Sequence, residues 1–234
     1  MKEITTSNDK LILDAVIFDL DGTLIDTIEI YFRIIDTVLD RLKLPPVAKR
    51  DLAEAVKDGD FDWDCVLPDD LKDRKYEVIK KAWKIIEEID QEISNDDLKM
   101  IPGADVVLGE ISACGMKIGL VTSTPKFKIN DKLYPFKKAG IDDLFEVVIT
   151  TDDAPRKKPA ADPLIECGKR LDVAVDKSVY VGDSRVDVKA GKAAGMTTIG
   201  VLTGLDDYDS LKKEDPDLII DSVIQLREVI DFNS

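Results

Sequence analysis

The 234-residue chain contains no histidine. That absence removes Ser-His-Asp and Cys-His nucleophile systems, histidine-ligated zinc and histidine general bases in one step. Chemistry here has to be carried by carboxylates, Lys, Ser or Thr, Cys, or a bound cofactor. Cysteine is nearly as scarce. Cys65, Cys114 and Cys167 are odd in number, far apart and without CxxC spacing, so neither a disulfide framework nor a zinc site is expected, and a reducing cytoplasm fits. No apolar run approaches the roughly 18 residues of a membrane helix, and the opening MKEITTSNDK lacks the layout of a signal peptide. Positive charge is in short supply too: 33 Lys and Arg against 48 Asp and Glu leave a formal charge of −15, which repels a phosphate backbone at long range. Neither a nucleic-acid partner nor a membrane partner is expected.

What is present is a globular composition, with 44% hydrophobic residues, at a length that allows one large domain or one domain with an insertion. There is no internal repeat, so organisation is read from periodicity. Short apolar runs at Leu13–Phe18, Lys117–Val121, Val147–Thr150, Ser178–Val181, Thr197–Val201 and Leu218–Ile220 are consecutively apolar rather than alternating. Burial on both faces, as in a parallel sheet, is the physical meaning of that pattern. Amphipathic stretches at Ala104–Ala113, Asp162–Leu171, Val186–Ala194 and Ile224–Ile230 lie between them. The alternation predicts an α/β fold with a doubly wound, mostly parallel sheet. Gly103, Gly140 and Gly195 fall at element boundaries, where positive φ is useful.

From Asp26 to Lys99 the alternation stops. No good strand is visible there, only helical pattern (Ile28–Leu42, Asp51–Val56, Leu71–Ile93) with turns at Pro45-Pro46 and Asp58–Asp64. An insertion after the first strand sits where ligands bind in open α/β sheets, so it is read as a helical cap. The expected division is a Rossmann-like core of residues 1–25 and 100–234 and a cap of residues 26–99. Phe61 and Trp63 are candidate specificity residues in that cap. Cys65 reads as packing, and Trp83, at helical spacing from Ile79 and Ile86, as cap core.

The most informative string is Phe18-Asp19-Leu20-Asp21-Gly22-Thr23-Leu24. Its carboxylates, two residues apart at a strand end, point to one side. One carboxylate can attack phosphorus while a second protonates the leaving oxygen and later activates water. Gly22 permits a sharp exit from the strand. A second string, Val181-Gly182-Asp183-Ser184-Arg185-Val186-Asp187, brings two more acids to a strand end. Four carboxylates in one crevice without histidine call for a hard cation, and oxygen-only ligation selects Mg²⁺. Taken singly, Asp183 also reads as a helix cap and Asp187 as a first-turn acid complementing the helix dipole. Thr122 after its strand and Lys158 before Pro159 can hold phosphoryl oxygens.

In that order these motifs resemble the haloacid dehalogenase-like hydrolases, specifically phosphatases with a helical cap of the phosphoglycolate phosphatase type, and the resemblance covers nearly the whole chain. It implies Asp19 as nucleophile and Asp21 as general acid and base. It also implies Mg²⁺ held by the Asp19 side chain, the Asp21 backbone carbonyl and Asp183, with Asp187 behind the metal. Thr122 and Lys158 match the phosphate-binding positions, and Ser123 stands where Asn is frequent. The acid at Asp21 disfavours dehalogenation, since a leaving halide needs no proton. Pro135 falls within the helix expected after Thr122, which should therefore be kinked or split.

The implied function is Mg²⁺-dependent hydrolysis of a small phosphorylated metabolite, phosphoglycolate-like acids first, through an aspartyl phosphate, by a monomer or weak dimer. A sugar phosphomutase of the same family and a catalytically silent binding protein remain open as alternatives. The acidic loop at Asp58–Asp64 does not favour a second phosphate there.

Overall fold

The computed structural model describes residues 6–7, 10–57, 60–92 and 95–232. Among these, six strands form one parallel sheet: β1 (Ala15–Phe18), β2 (Lys117–Val121), β3 (Val147–Ile149), β4 (Ser178–Gly182), β5 (Thr197–Val201) and β6 (Leu218–Ile220). Their spatial order is β6-β5-β4-β1-β2-β3, and every neighbouring pair is parallel. This is the doubly wound order, whose direction reverses between β1 and β4.

Both faces of the sheet are covered. Val16 and Phe18 of β1 pack with Val107, Leu108 and Ile111 of the helix Ala104–Ala113. Ala15 and Ile17, pointing the other way, pack with Leu164, Cys167 and Leu171 of the helix Asp162–Leu171. A residue such as Phe18, fully enclosed, contributes roughly 1.5–3 kcal/mol by leaving water. The consecutive apolar runs of the sequence thus have the cause inferred for them. Gly103, Gly140 and Gly195 cap their helices with φ of 84°, 70° and 77°. The helix after Thr122 is split at Leu133 into Ile129–Lys132 and Tyr134–Ala139.

The insertion builds α1 (Ile28–Arg41), α2 (Lys49–Ala55) and α3 (Lys75–Glu92), with 3-10 turns at Trp63–Cys65 and Asp69–Arg74. It has its own apolar cluster around Val38, Leu39, Leu52, Trp63 and Ala82, which Leu205 joins from the sheet side.

The expectation that this segment lacks strands needs correction. Ile25–Asp26 pairs with Lys99–Met100 at its two ends, and Val56–Lys57 pairs with Asp60–Phe61 within it, both antiparallel. Strands of two residues are too short to carry a period. Trp83 is also not core: it is 57% exposed, as is Tyr76 at 80%. The buried face of α3 runs through Ala82 and Ile89, which rotates Trp83 outward by about 100° per residue. Cys65 is exposed rather than packed. The carboxyl-terminal helix is shorter than its pattern, a 3-10 turn at Val223–Gln225 followed by Leu226–Val229. Asp58, Gly59 and Ile93 lie outside the described residues. Among the described residues, no helix is long and apolar enough to cross a membrane.

Candidate active site

The direction of the sheet reverses between β1 and β4, and their carboxyl ends deliver Asp19 and Asp183. The Asp19 amide donates to the Val181 carbonyl at 2.8 Å, continuing the ladder one residue beyond β1. Gly22 then takes φ of 78° and its amide donates to Ile25 at 2.8 Å, closing the turn. A side chain at Gly22 would be strained by that φ and would strike Asp183 Oδ2 at 2.6 Å.

Asp183 is buried. Its Oδ2 accepts from the Leu205 amide at 2.7 Å and its Oδ1 from Thr23 Oγ1 at 3.3 Å. The helix Arg185–Ala194 follows. Its cap is Ser184, not Asp183: Ser184 and Asp187 form a reciprocal capping box. Asp187 therefore does two things at once. Its Oδ2 accepts from the Ser184 amide at 3.1 Å, while its Oδ1 accepts from Tyr180 Oη at 2.8 Å and Lys158 Nζ at 2.7 Å.

Lys158 is the buried cation of the site. Besides Asp187, its ammonium donates to Asp19 Oδ1 at 2.6 Å, Tyr180 Oη at 3.0 Å and the Val121 carbonyl at 3.3 Å. Carboxylate oxygens of Asp19, Asp183 and Asp187 lie within 4.8 Å of one another. Burial pushes Asp19 up to about 7; the Lys158 charge opposes this, and the Asp187 charge adds to it. Asp183 rises well above the carboxylate range through burial and then through its acidic neighbours. Burial pushes Asp187 the same way, but the charge and hydrogen bond of Lys158, with Ser184 and Tyr180, bring it below its ordinary value. Burial also disfavours the Lys158 charge, and Asp187 and Asp19 outweigh it.

Asp21 is not one of that trio but lines the same cavity. Its Oδ2 accepts from Thr124 Oγ1 at 3.1 Å and its Oδ1 from Lys132 Nζ at 2.6 Å. Thr122 is buried at the end of β2, its hydroxyl accepting from the Thr124 amide at 3.0 Å. Ser123 is exposed at the cavity edge. The cavity, of about 430 Å³, is lined by all four aspartates, Thr122, Ser123, Lys158 and, from the insertion, Ile28, Tyr31 and Ile34. Phe61 and Trp63 are not among its lining residues. They pack edge to face, centroids 5.0 Å apart, in the insertion's own apolar cluster.

Residues 16–201 match the family model of the haloacid dehalogenase-like hydrolases. The chain belongs to that family. Over 220 residues this hydrolase is 28% identical to a phosphoglycolate phosphatase of Nitrosococcus oceani, covering 93% of this chain and 96% of the relative. Its fold matches a crystal structure of a predicted phosphoglycolate phosphatase from Haemophilus somnus, with TM-score 0.77, 21% identity, and 92% and 97% of the two chains covered. It also matches a β-phosphoglucomutase from Clostridium difficile, with TM-score 0.66, 21% identity, and 92% and 93% covered. The fold alone therefore does not separate these two activities.

The donor set of this hydrolase fits a hard divalent cation. Three carboxylates converge with oxygen donors only, the ligand chemistry of Mg²⁺ rather than of zinc or copper. Space has been kept around Asp183: a Cβ at Gly204 would lie 1.8 Å from its Oδ2.

Sequence reasoning missed Lys132, Thr124, Tyr180 and Tyr31. For Tyr180 a signal existed, since a tyrosine in a strand buried on both faces needs a partner for its hydroxyl. Lys132 had none, because its pairing with Asp21 spans 111 residues and no local pattern encodes it.

Proposed function

We propose that this hydrolase is a Mg²⁺-dependent phosphatase of small phosphomonoesters, phosphoglycolate-like acids first, acting through an aspartyl phosphate on Asp19. The observation that carries the reading is the Lys158 ammonium shared by Asp19 and Asp187 at 2.6 and 2.7 Å, with Asp21 in the same cavity. The relatives named phosphoglycolate phosphatase support the substrate class.

Asp19 attacks phosphorus as the ester P–O bond breaks, and the Asp21 carboxyl gives its proton to the leaving alkoxide. Asp21, now a carboxylate, takes a proton from water as that water attacks the acyl phosphate. The phosphorus–Asp19 bond breaks, returning the carboxylate and releasing inorganic phosphate. Thr122, Ser123 and Lys158 hold the phosphoryl oxygens meanwhile. Asp19, the Asp21 carbonyl and Asp183 are the residues that would hold Mg²⁺, with Asp187 orienting them; the ion supplies countercharge to nucleophile and phosphoryl group. Residues 26–99 act as a cap over the core of residues 1–25 and 100–234, and closure excludes bulk water and limits the leaving group. None of the described cysteines is in a disulfide, which supports a reducing cytoplasm as the working compartment.

The test is phosphate release from a panel of small phosphomonoesters, including phosphoglycolate and an aryl phosphate, with Mg²⁺ and with EDTA. Magnesium-dependent release is expected. No release by folded protein that binds Mg²⁺ overturns the reading in favour of a binding role, and isomerised sugar phosphate without net release makes the protein a mutase.

A further inference from the structure

Both oxygens of the Asp21 carboxyl are held, and by donors of different kinds. Lys132, the last residue of the helix Ile129–Lys132, reaches Oδ1 with its ammonium at 2.6 Å. Thr124 reaches Oδ2 with its hydroxyl at 3.1 Å. Two partners on two oxygens fix the plane of the carboxyl as well as its position. All three residues line the cavity.

Both holders are themselves anchored. Thr124 is buried; its amide donates to Thr122 Oγ1 at 3.0 Å and its carbonyl accepts from the Thr151 amide at 3.4 Å, which ties it to the ends of β2 and β3. The Lys132 amide donates to the Lys128 carbonyl at 3.2 Å, and its side chain is only 28% exposed.

The two donors are not equivalent. An ammonium has hydrogens to give and no lone pair to receive one, whereas a hydroxyl turns between donating and accepting. When Asp21 carries the proton it needs as general acid, that proton is therefore excluded from Oδ1 and belongs on Oδ2, facing Thr124. As the proton leaves, negative charge grows on Asp21, and the ammonium at Oδ1 is already in place to meet it. The Thr124 hydroxyl then donates to the carboxylate, which is the arrangement seen here.

We propose that Lys132 and Thr124 are positioning residues for the general acid of this enzyme: Lys132 reserves Oδ2 as the proton-bearing edge of Asp21, and Thr124 aims it. The inference rests on the phosphatase reading above. In the step concerned the Oδ2–H bond breaks and the O–H bond of the released alcohol forms, with the electron pair left on Asp21. The same edge takes a proton from the attacking water in the second step.

The test uses two esters that differ in their need for a proton. Ethyl phosphate releases an alkoxide, which has to be protonated as it leaves, whereas para-nitrophenyl phosphate releases a phenolate that is stable without one. The ratio kcat/KM reports the steps through loss of the leaving group, so hydrolysis of the acyl phosphate, common to both esters, does not enter. Thr124→Val and Lys132→Met are each expected to lower kcat/KM for ethyl phosphate about 10–100-fold, and for the aryl ester by less than about threefold. Thr124→Ser should restore most of the loss and Lys132→Arg part of it, and unchanged thermal midpoints show that the variants fold. Equal losses on both esters, no loss on either, or a wild type that leaves ethyl phosphate intact while cleaving other esters overturns the positioning role and leaves the phosphatase standing. No release from any ester of the panel above overturns both.

Discussion

Arg185 Nη1 donates to Glu54 Oε2 at 3.1 Å, tying the first residue of the helix that carries Asp187 to α2 of the insertion. The same guanidinium holds Asp206 at 3.0 Å on the sheet side. An exposed pair is worth about 0–1 kcal/mol, so Glu54→Gln should raise KM about two- to fivefold and leave kcat within about twofold. In the wild type KM should rise with salt, and in the variant that slope should flatten. Identical salt dependence in the two proteins would show that the pair does not hold the insertion closed.

Asp19 makes the metal-free protein sensitive to pH. Burial raises its folded value to about 7 from an ordinary 3.8, so between these values the fold keeps a proton that the unfolded chain has released. Its contribution to stability is present below about 3.8 and is lost as pH rises through about 7. In EDTA, the thermal midpoint of Asp19→Asn should therefore fall less between pH 5 and pH 8 than that of the wild type. Turnover in the variant should drop by about 10³-fold or more.

Lys158 holds two buried carboxylates together. Lys158→Met leaves Asp19 and Asp187 without their countercharge, a loss of about 3–5 kcal/mol, or roughly 6–20 °C in Tm for a chain of this size. Adding Asp187→Asn should recover part of it, because one of the two stranded charges is then gone. Calorimetry on the single and double variants measures this, and equal midpoints would mean that Lys158 carries no structural charge balance.

Gly204 and Gly109 offer a matched pair. A Cβ at Gly204 meets Asp183 Oδ2 at 1.8 Å, whereas one at Gly109 meets nothing within 4 Å. Gly204→Ala should weaken Mg²⁺ binding about 10–100-fold by displacing Asp183. Gly109→Ala, inside a helix, should add about 0.5–1 kcal/mol of stability and leave Mg²⁺ affinity alone. Magnesium titration of both variants separates the two effects.

Much of the architecture could be read before folding. Lys117–Val121, Thr197–Val201, Ala104–Ala113 and Asp162–Leu171 match their elements residue for residue, since burial on two faces and amphipathic spacing are local patterns. Trp83 shows where such reading stops: spacing places it beside Ile79 and Ile86, but which arc of α3 turns inward depends on α1 packing against it. Phe61 and Trp63 were legible as an aromatic pair, not as members of a cluster away from the cavity.

The sequence by itself determined the strand ends and the residues at them: Asp19, Asp21, Thr122, Asp183 and Asp187 follow apolar runs, and their oxygen-only chemistry is what led to the proposal of phosphate and a hard cation. Only the tertiary structure decided who meets whom. Lys158 reaches Asp19 across 139 residues from the loop that follows β3, and Thr23 reaches Asp183 across 160 because β1 and β4 are neighbours in the sheet. Strand order arises from crossovers and the burial of both faces, and no short-range period encodes it. Lys132 on Asp21 belongs to that second class, since the pair joins elements 111 residues apart.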